Sequence, residues 1–137
     1  RAGVPTSFHS DFPMAPAEPL TLVWTAVNRI GSDGQVWGPD QRISLDRALR
    51  AVTWEGARSL GLEDEIGSLA VGKRADLTIL EEDPYEVDPK ALRDIPIWGT
   101  VLGGQPHPIP IEAIESEPRA PAPRDGRVVD EIGPDEV

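Results

Sequence analysis

The chain has 137 residues, a formal net charge of −11 and no cysteine. This length suits one domain, and the acidic balance disfavours nucleic acid and anionic membranes as partners. The lack of cysteine excludes disulfides, thiolate metal sites and a cysteine nucleophile. No apolar run reaches the roughly 18 residues that a membrane span needs, so we expect no membrane partner and assume a cytoplasmic location.

The first half of the chain predicts one weak strand followed by three helices. Residues 4–10 weakly favour a strand, and apolar residues at helical spacing predict a helix over residues 20–29. Ser44 is suited to cap a second helix. Thr53 is suited to cap a third, short helix, which Gly61 would end.

The second half predicts a small sheet. The alternation in residues 75–80 is typical of a strand, and residues 97–102 favour another. Asp88 is suited to cap a short helix between the two strands. Gly103-Gly104 indicates a two-residue hairpin turn, and the returning strand contains two prolines, so it is short or lies on an edge.

Residues 110–137 are rich in Pro, Glu and Asp and poor in large apolar side chains. Such a segment buries too little surface to offset its ordering entropy, which predicts a disordered or loosely docked tail. The alternative is a tail that wraps the parent domain or a second subunit. Its anchors would then be Val128, Val129 and Ile132.

One short constellation, His9-Ser10-Asp11, suggests chemistry. Contiguous residues cannot form a nucleophilic triad, which needs groups that converge from separate segments. In a strand, His9 and Asp11 would lie on one side. A strand end before a proline-rich loop suits the C-terminal rim of a (β/α)₈ barrel, where active sites lie. Asp11 could there contact a cation and accept a proton from bound water, or it could simply cap a helix or anchor a loop.

The other polar and aromatic candidates favour structural roles. Two histidines are too few for a histidine metal site, and His107, between prolines, is predicted to lie on the surface. Residues 81–83 could attract a cation but favour a solvated turn. The tryptophans are predicted to pack in the interior rather than stack on bases. They are Trp24, Trp37, Trp54 and Trp98.

Four stretches resemble one known family. GSLAVGKRADLTILEEDP, residues 67–84, closely resembles the C-terminal signature of amidohydrolases, with its Gly-Lys pair, Ala-Asp-Leu and closing Asp-Pro. FHSDFPMAP, residues 8–16, is similar to the eighth barrel strand of amidohydrolase family 3. Residues 43–69 resemble the last barrel-associated helices, and GTVLGGQ, residues 99–105, resembles the final hairpin.

The resemblance implies an α/β parent with a TIM barrel. This chain would hold the last βα unit of the barrel in residues 1–62 and the C-terminal part of a small β-sandwich, a composite domain, in residues 63–109. Residues 110–137 would follow as the tail. The remaining metal ligands of the family would lie upstream of Arg1, and a first residue other than Met is in keeping with a fragment.

The resemblance also implies a site and a reaction. Asp11 matches the aspartate that contacts the metal and handles the proton, and His9 would line the pocket without being a ligand. The parent would hydrolyse carbon–nitrogen bonds of amides, cyclic amides or N-acyl compounds with a divalent metal, expected to be zinc. We expect no metal in this chain alone, which would be inactive.

The expected partners are the N-terminal part of the same protein and a small-molecule substrate, and a homo-oligomer is allowed. The alternative function is a non-catalytic, β-rich interaction module derived from the sandwich. The loop of residues 31–39 either lines the barrel mouth or only connects two helices, and the substrate is not indicated.

Overall fold

The structure is a computed structural model that describes residues 4–110. Nearly all of the predicted tail, with its three apolar anchors, lies outside the described residues. Two short 3₁₀ helices, Pro39–Gln41 and Pro89–Asp94, accompany three α-helices and three strands. The α-helices are α1 (Pro19–Asn28), α2 (Leu45–Val52) and α3 (Trp54–Ser59), and the strands are β1 (Leu77–Leu80), β2 (Ile97–Leu102) and β3 (Gln105–Pro108).

Helix α1 matches its predicted range within one residue. Pro19 occupies its first turn, where the fixed φ of proline suits a helix and no N–H is lost. Arg29 ends it in the left-handed region, with a φ of 58°. The helix buries Val23 and Trp24 in one apolar cluster with Ala48, Leu92 and Ile95. Leu92 is fully buried, which stabilises the fold by about 1.5–3 kcal/mol.

The ends of α2 and α3 were predicted in position but not in every contact. Ser44 caps α2, because its side chain accepts a hydrogen bond from the backbone N–H of Arg47 at 3.3 Å. Thr53 stands at the N-cap of α3, as predicted, but its side chain makes no capping hydrogen bond there. Its hydroxyl donates instead to the Leu49 carbonyl at 2.8 Å, the back-bond to residue i−4 that threonine commonly forms.

Gly61 ends α3 as predicted. Its φ is 70°, its N–H bonds the Arg58 carbonyl at 3.1 Å, and the N–H of Leu62 bonds the Ala57 carbonyl at 2.9 Å. This pair of bonds satisfies carbonyls that the last helical turn leaves open, and a glycine adopts the required conformation without steric cost.

The three strands form one antiparallel sheet in the order β1-β2-β3. The predicted hairpin is confirmed, with positive φ at both Gly103 and Gly104. β3 pairs only with β2 among the described residues, so the proline-containing strand lies on an edge, as predicted. The sheet joins the core through Leu80, which packs against the apolar cluster.

The weak strand prediction for residues 4–10 is not borne out within the described residues. The segment has no regular secondary structure, and its one backbone bond to a helix joins the N–H of Phe8 to the Ala51 carbonyl at 3.4 Å. A strand needs a partner to hydrogen-bond with, and none of residues 4–110 supplies one.

The tryptophans divide into two groups. Trp24 is 7% exposed, which confirms its packing role, and Trp54 lies against the guanidinium groups of Arg50 and Arg58. Trp37 is 62% exposed and Trp98 is 40% exposed, so the packing prediction was wrong for both. His107 and residues 81–83 are exposed, as predicted, and no helix within residues 4–110 is long and apolar enough to cross a membrane.

Lys73 closes the loop that precedes β1. Its ammonium group donates to the carbonyls of Glu63 and Ile66 and to the hydroxyl of Ser68. These bonds bring residues 63–68 against the next turn, because all three ammonium donors have acceptors there. The Gly-Lys pair of the signature segment therefore has a structural role.

Asp76 connects the same region to the hairpin. Its carboxylate accepts the backbone N–H of Gly103 at 2.7 Å, pairs with Arg74, and stands beside the bond from Gly104 N–H to the Ala75 carbonyl. The Gly103 bond lowers the pKa of Asp76 below its ordinary value, and Arg74 adds to this while partial desolvation opposes it.

Gly67 allows α3 to approach the loop closely. Its φ is 83°, and a Cβ added there would lie 2.6 Å from the Ala57 Cβ. We expect Gly67→Ala to destabilise the fold by about 2–4 kcal/mol, from backbone strain and overpacking together. Gly72→Ala is the matched control: its φ is 93° but a Cβ would meet nothing within 4 Å, so about 1 kcal/mol of strain should remain. Urea denaturation checks both, and equal losses would contradict the close packing.

Asp76 should make stability depend on pH in acid. A carboxyl whose folded pKa is lowered contributes fully above the unfolded pKa, and loses that contribution as the pH falls through the folded value. We expect Asp76→Ala to lower the urea concentration at the denaturation midpoint at neutral pH. Between about pH 5 and about pH 3, this variant should lose less stability than the unsubstituted chain. Parallel acid dependence of the two chains, measured by urea denaturation, would refute this.

Candidate functional site

Asp11 follows residues 4–10, which have no regular secondary structure, and precedes α1, which begins at Pro19. Its φ is 55°, a left-handed conformation that aspartate tolerates better than most residues. Its carbonyl accepts the N–H of Met14 at 2.7 Å, which closes a turn through a cis Phe12-Pro13 bond. The residue is exposed, and its carboxylate makes no ion pair within residues 4–110. It is therefore open to a ligand.

His9 is held by the backbone of Asp11, a contact that the sequence did not suggest. Its Nδ1 accepts the N–H of Asp11 at 2.8 Å. An imidazole that accepts at Nδ1 is neutral and carries its proton on Nε2. In that form Nε2 is a hydrogen-bond donor rather than a metal ligand. This hydrogen bond brings His9 and Asp11 together, whereas the sequence predicted that they would lie on one side of a strand.

The described residues do not hold a metal ion by themselves. No group of three or more histidine, aspartate or glutamate side chains within residues 4–110 is placed to bind one. A divalent ion such as zinc takes three or four protein ligands. Asp11 alone, with one carboxylate, supplies fewer ligands than such an ion needs.

Helix packing fixes which end of the molecule carries Asp11. Arg47 donates to the Val4 carbonyl at 3.3 Å, and Phe8 bonds Ala51, so residues 4–8 run in the same direction as α2. Asp11 therefore lies beyond the C-terminal end of α2, at the end of the molecule where α1 begins.

The loop of residues 31–39 lies at the other end of α1. A helix of 10 residues separates it from the Asp11 side by about 15 Å. A bridge between Ile30 and Val36 closes the loop, and Ile43 bonds the Ala26 carbonyl at 3.3 Å where the chain enters α2. The geometry favours a connector between two helices over a segment that lines a site around Asp11.

Comparison with known proteins adds the family. The family described as "Amidohydrolase family" matches residues 1–107. N-substituted formamide deformylase of Arthrobacter pascens is 37% identical over 103 residues, which cover 75% of this chain and 19% of that protein.

Two other relatives agree with this. Protein LONG AFTER FAR-RED 3 of Arabidopsis thaliana is 37% identical over 97 residues, covering 70% of this chain and 16% of that protein. Putative amidohydrolase YtcJ of Bacillus subtilis is 32% identical over 99 residues, covering 70% and 19%. The chain thus spans less than a fifth of the length of these relatives. Because the family match covers most of its residues, the chain belongs to the amidohydrolase family, as its signature segment predicted.

Proposed function

We propose that this chain is the C-terminal portion of a metal-dependent hydrolase that acts on carbon–nitrogen bonds of amides, cyclic amides or N-acyl compounds. The observation that carries the proposal is the family match over residues 1–107, which includes an exposed Asp11 free to meet a ligand. The name of the Arthrobacter relative denotes removal of a formyl group from an N-substituted formamide. Amidohydrolases generally use divalent metals, and zinc is our choice here.

The fold of the parent follows from the same family, which has a TIM barrel. We assign residues 1–62 to the end of the barrel and residues 63–109 to part of a β-sandwich. Two features support this. Among the described residues, Thr6 and Ser7 make no backbone–backbone hydrogen bond, and the outer edge of β1 has no strand partner. Both are suited to pairing with further strands.

Asp11 would be the residue of this chain that takes part in hydrolysis of the carbon–nitrogen bond. A bound divalent ion supplies acidified water and polarises the substrate carbonyl. The Asp11 carboxylate would accept a proton from the attacking water and deliver it to the leaving nitrogen, as general acid–base catalysis requires. His9, with its proton on Nε2, would donate a hydrogen bond into the same pocket.

A second candidate is a non-catalytic interaction module. It is favoured by the bonds of Lys73 and Asp76, which join the loop before β1 to neighbouring turns without help from residues 4–62. This reading needs residues 63–109 to fold without a barrel. A cooperative, monomeric melt of the 137-residue chain would support it, whereas aggregation would support an unfinished barrel edge.

The catalytic proposal predicts the effect of Asp11→Asn in the polypeptide extended upstream of Arg1. The amide cannot accept the proton, so kcat/KM for an N-substituted formamide should fall by about 10²–10⁴. Asp64→Asn, which changes another exposed aspartate, should leave kcat/KM unchanged. Full activity of the Asp11→Asn variant would exclude Asp11 from the reaction.

Metal analysis tests whether this chain and the polypeptide upstream of Arg1 share the ligands of one metal site. The extended polypeptide should contain stoichiometric divalent metal after dialysis, while the 137-residue chain should contain none and have no amidase activity, because it contributes too few ligands. Elemental analysis by mass spectrometry measures both. Tightly bound, stoichiometric zinc in the 137-residue chain would contradict the shared site.

A further inference from the structure

Asp11 holds a backbone conformation that residues with a Cβ seldom adopt. Its φ of 55° lies in the left-handed region, at a cost of about 1–2 kcal/mol. Many such residues end helices, as Arg29 ends α1, but Asp11 ends no helix and α1 begins only at Pro19. Strained residues of this kind cluster at functional sites, so the conformation of Asp11 points to a function that needs it.

Two hydrogen bonds hold this conformation, one on each side of the Asp11 Cα. The Asp11 N–H donates to Nδ1 of His9 at 2.8 Å, and the Asp11 carbonyl accepts the N–H of Met14 at 2.7 Å. Both backbone polar groups of Asp11 are therefore used. Its carboxylate, in contrast, meets no hydrogen-bonding partner among residues 4–110. The local contacts thus fix the main chain of Asp11 and leave its side chain open.

Nδ1 of His9 is well placed in the imidazole ring to accept this N–H. It is bonded directly to Cγ, where an asparagine or aspartate carries the oxygen that accepts the N–H two residues later in an Asx turn. The same bond at 2.8–2.9 Å recurs in this chain at Asp33, Asp83 and Asp88. His9 therefore closes the turn at Asp11 as an asparagine would, and its Nε2 keeps the proton.

We propose that His9 is a positioning residue for the reaction, because its Nδ1 holds the Asp11 backbone and thereby sets where the Asp11 carboxylate stands. The inference rests on the proposed function, in which that carboxylate accepts a proton from the attacking water. It is separate from the hydrogen bond that Nε2 would donate into the pocket. A general base must stand within hydrogen-bond reach of its proton, so relaxation of a strained backbone at Asp11 would carry the carboxylate out of place.

Two substitutions separate the two nitrogens of His9. Asparagine has an acceptor at the place of Nδ1 and nothing at the place of Nε2, whereas glutamine has an N–H donor as far from Cγ as Nε2 and no acceptor at the place of Nδ1. In the polypeptide extended upstream of Arg1, we expect His9→Asn to lower kcat for an N-substituted formamide less than about threefold, and His9→Gln to lower it by about 10–100-fold. KM should change little, because the carboxylate acts on the proton rather than on substrate binding.

Amide hydrogen exchange gives a readout that does not depend on activity. The Asp11 N–H should exchange about tenfold faster in His9→Gln than in His9→Asn or the unsubstituted polypeptide, because only His9→Gln removes its acceptor. Mass spectrometry with electron-transfer fragmentation resolves this single amide. Position 9 is exposed, so the melting temperature should be the same in all three.

Two further variants show whether the effect passes through Asp11. His107→Gln replaces the other histidine of the chain, which is exposed on β3, and should leave kcat unchanged. In the Asp11→Asn background, His9→Gln should lower kcat no further, because the carboxylate through which His9 acts is already gone. A general loss of structure would lower kcat in that background as well.

Several results would overturn the positioning role. Full kcat of His9→Gln beside an impaired Asp11→Asn would remove it and leave the proposed function standing. Equal losses in His9→Asn and His9→Gln, equal exchange rates at the Asp11 N–H, or an additive loss in the double variant would each show that Nδ1 does not act through Asp11. Full activity of Asp11→Asn would instead remove the proposed role of Asp11, and the positioning role with it.

Discussion

The indole of Trp24 donates a hydrogen bond to the Lys90 carbonyl at 2.7 Å, and the amide of Asn28 donates to the Pro89 carbonyl at 2.8 Å. These bonds attach α1 to the 3₁₀ helix between β1 and β2. The Arg93 guanidinium covers the Trp24 ring at 4.1 Å. Because this 3₁₀ helix also supplies Leu92 to the core, it joins the helical half of the chain to the sheet. The sheet and its hairpin are therefore attached to α1 through that junction.

Away from the junction, the described chain leaves several groups incomplete. Residues 6–7 have open backbone groups, Oε2 of Glu55 lacks a donor, and β1 has a bare outer edge within residues 4–110. Leu69 and Val71 are also largely exposed. Native folds rarely leave buried polar groups unpaired, and they usually protect or cover the edges of their sheets. These features fit the proposal that further polypeptide packs against this chain, and a relative of which the matched residues cover only 19% supports it.

Local signals predicted the parts of the fold that local forces decide. Ser44, Gly61 and Gly103-Gly104 each act within a few residues, so the sequence placed two helix ends and the hairpin correctly. Predictions that depended on contacts with residues distant in the sequence were less accurate. Residues 4–10 have no neighbouring strand among the described residues, and Trp37 remains exposed although its indole bonds Asp33.

The contacts that the sequence could not indicate join residues through space. The ammonium of Lys73 reaches a carbonyl ten residues earlier, and the Asp76 carboxylate meets a backbone N–H 27 residues later. The bond from Asp11 to His9 spans two residues, yet it depends on the left-handed backbone of Asp11. A carboxylate before a proline-rich loop gave no signal of that conformation. Side-chain type alone therefore indicated where chemistry could occur, but not the hydrogen bonding around it.

The signature segment, residues 67–84, and the residue proposed to react, Asp11, have different roles. Gly67, Lys73 and Asp76 within the signature make tight backbone contacts and hydrogen bonds, all directed at the loop and the hairpin. Their residue types are tightly constrained, because a Cβ at Gly67 or a shorter side chain at position 73 would break those contacts. Under the proposed function, Asp11 would instead be constrained by a metal ligand set to which this chain contributes one donor. The segment by which the family is recognised would then be separate from the carboxylate proposed to react, which would depend on polypeptide outside this chain.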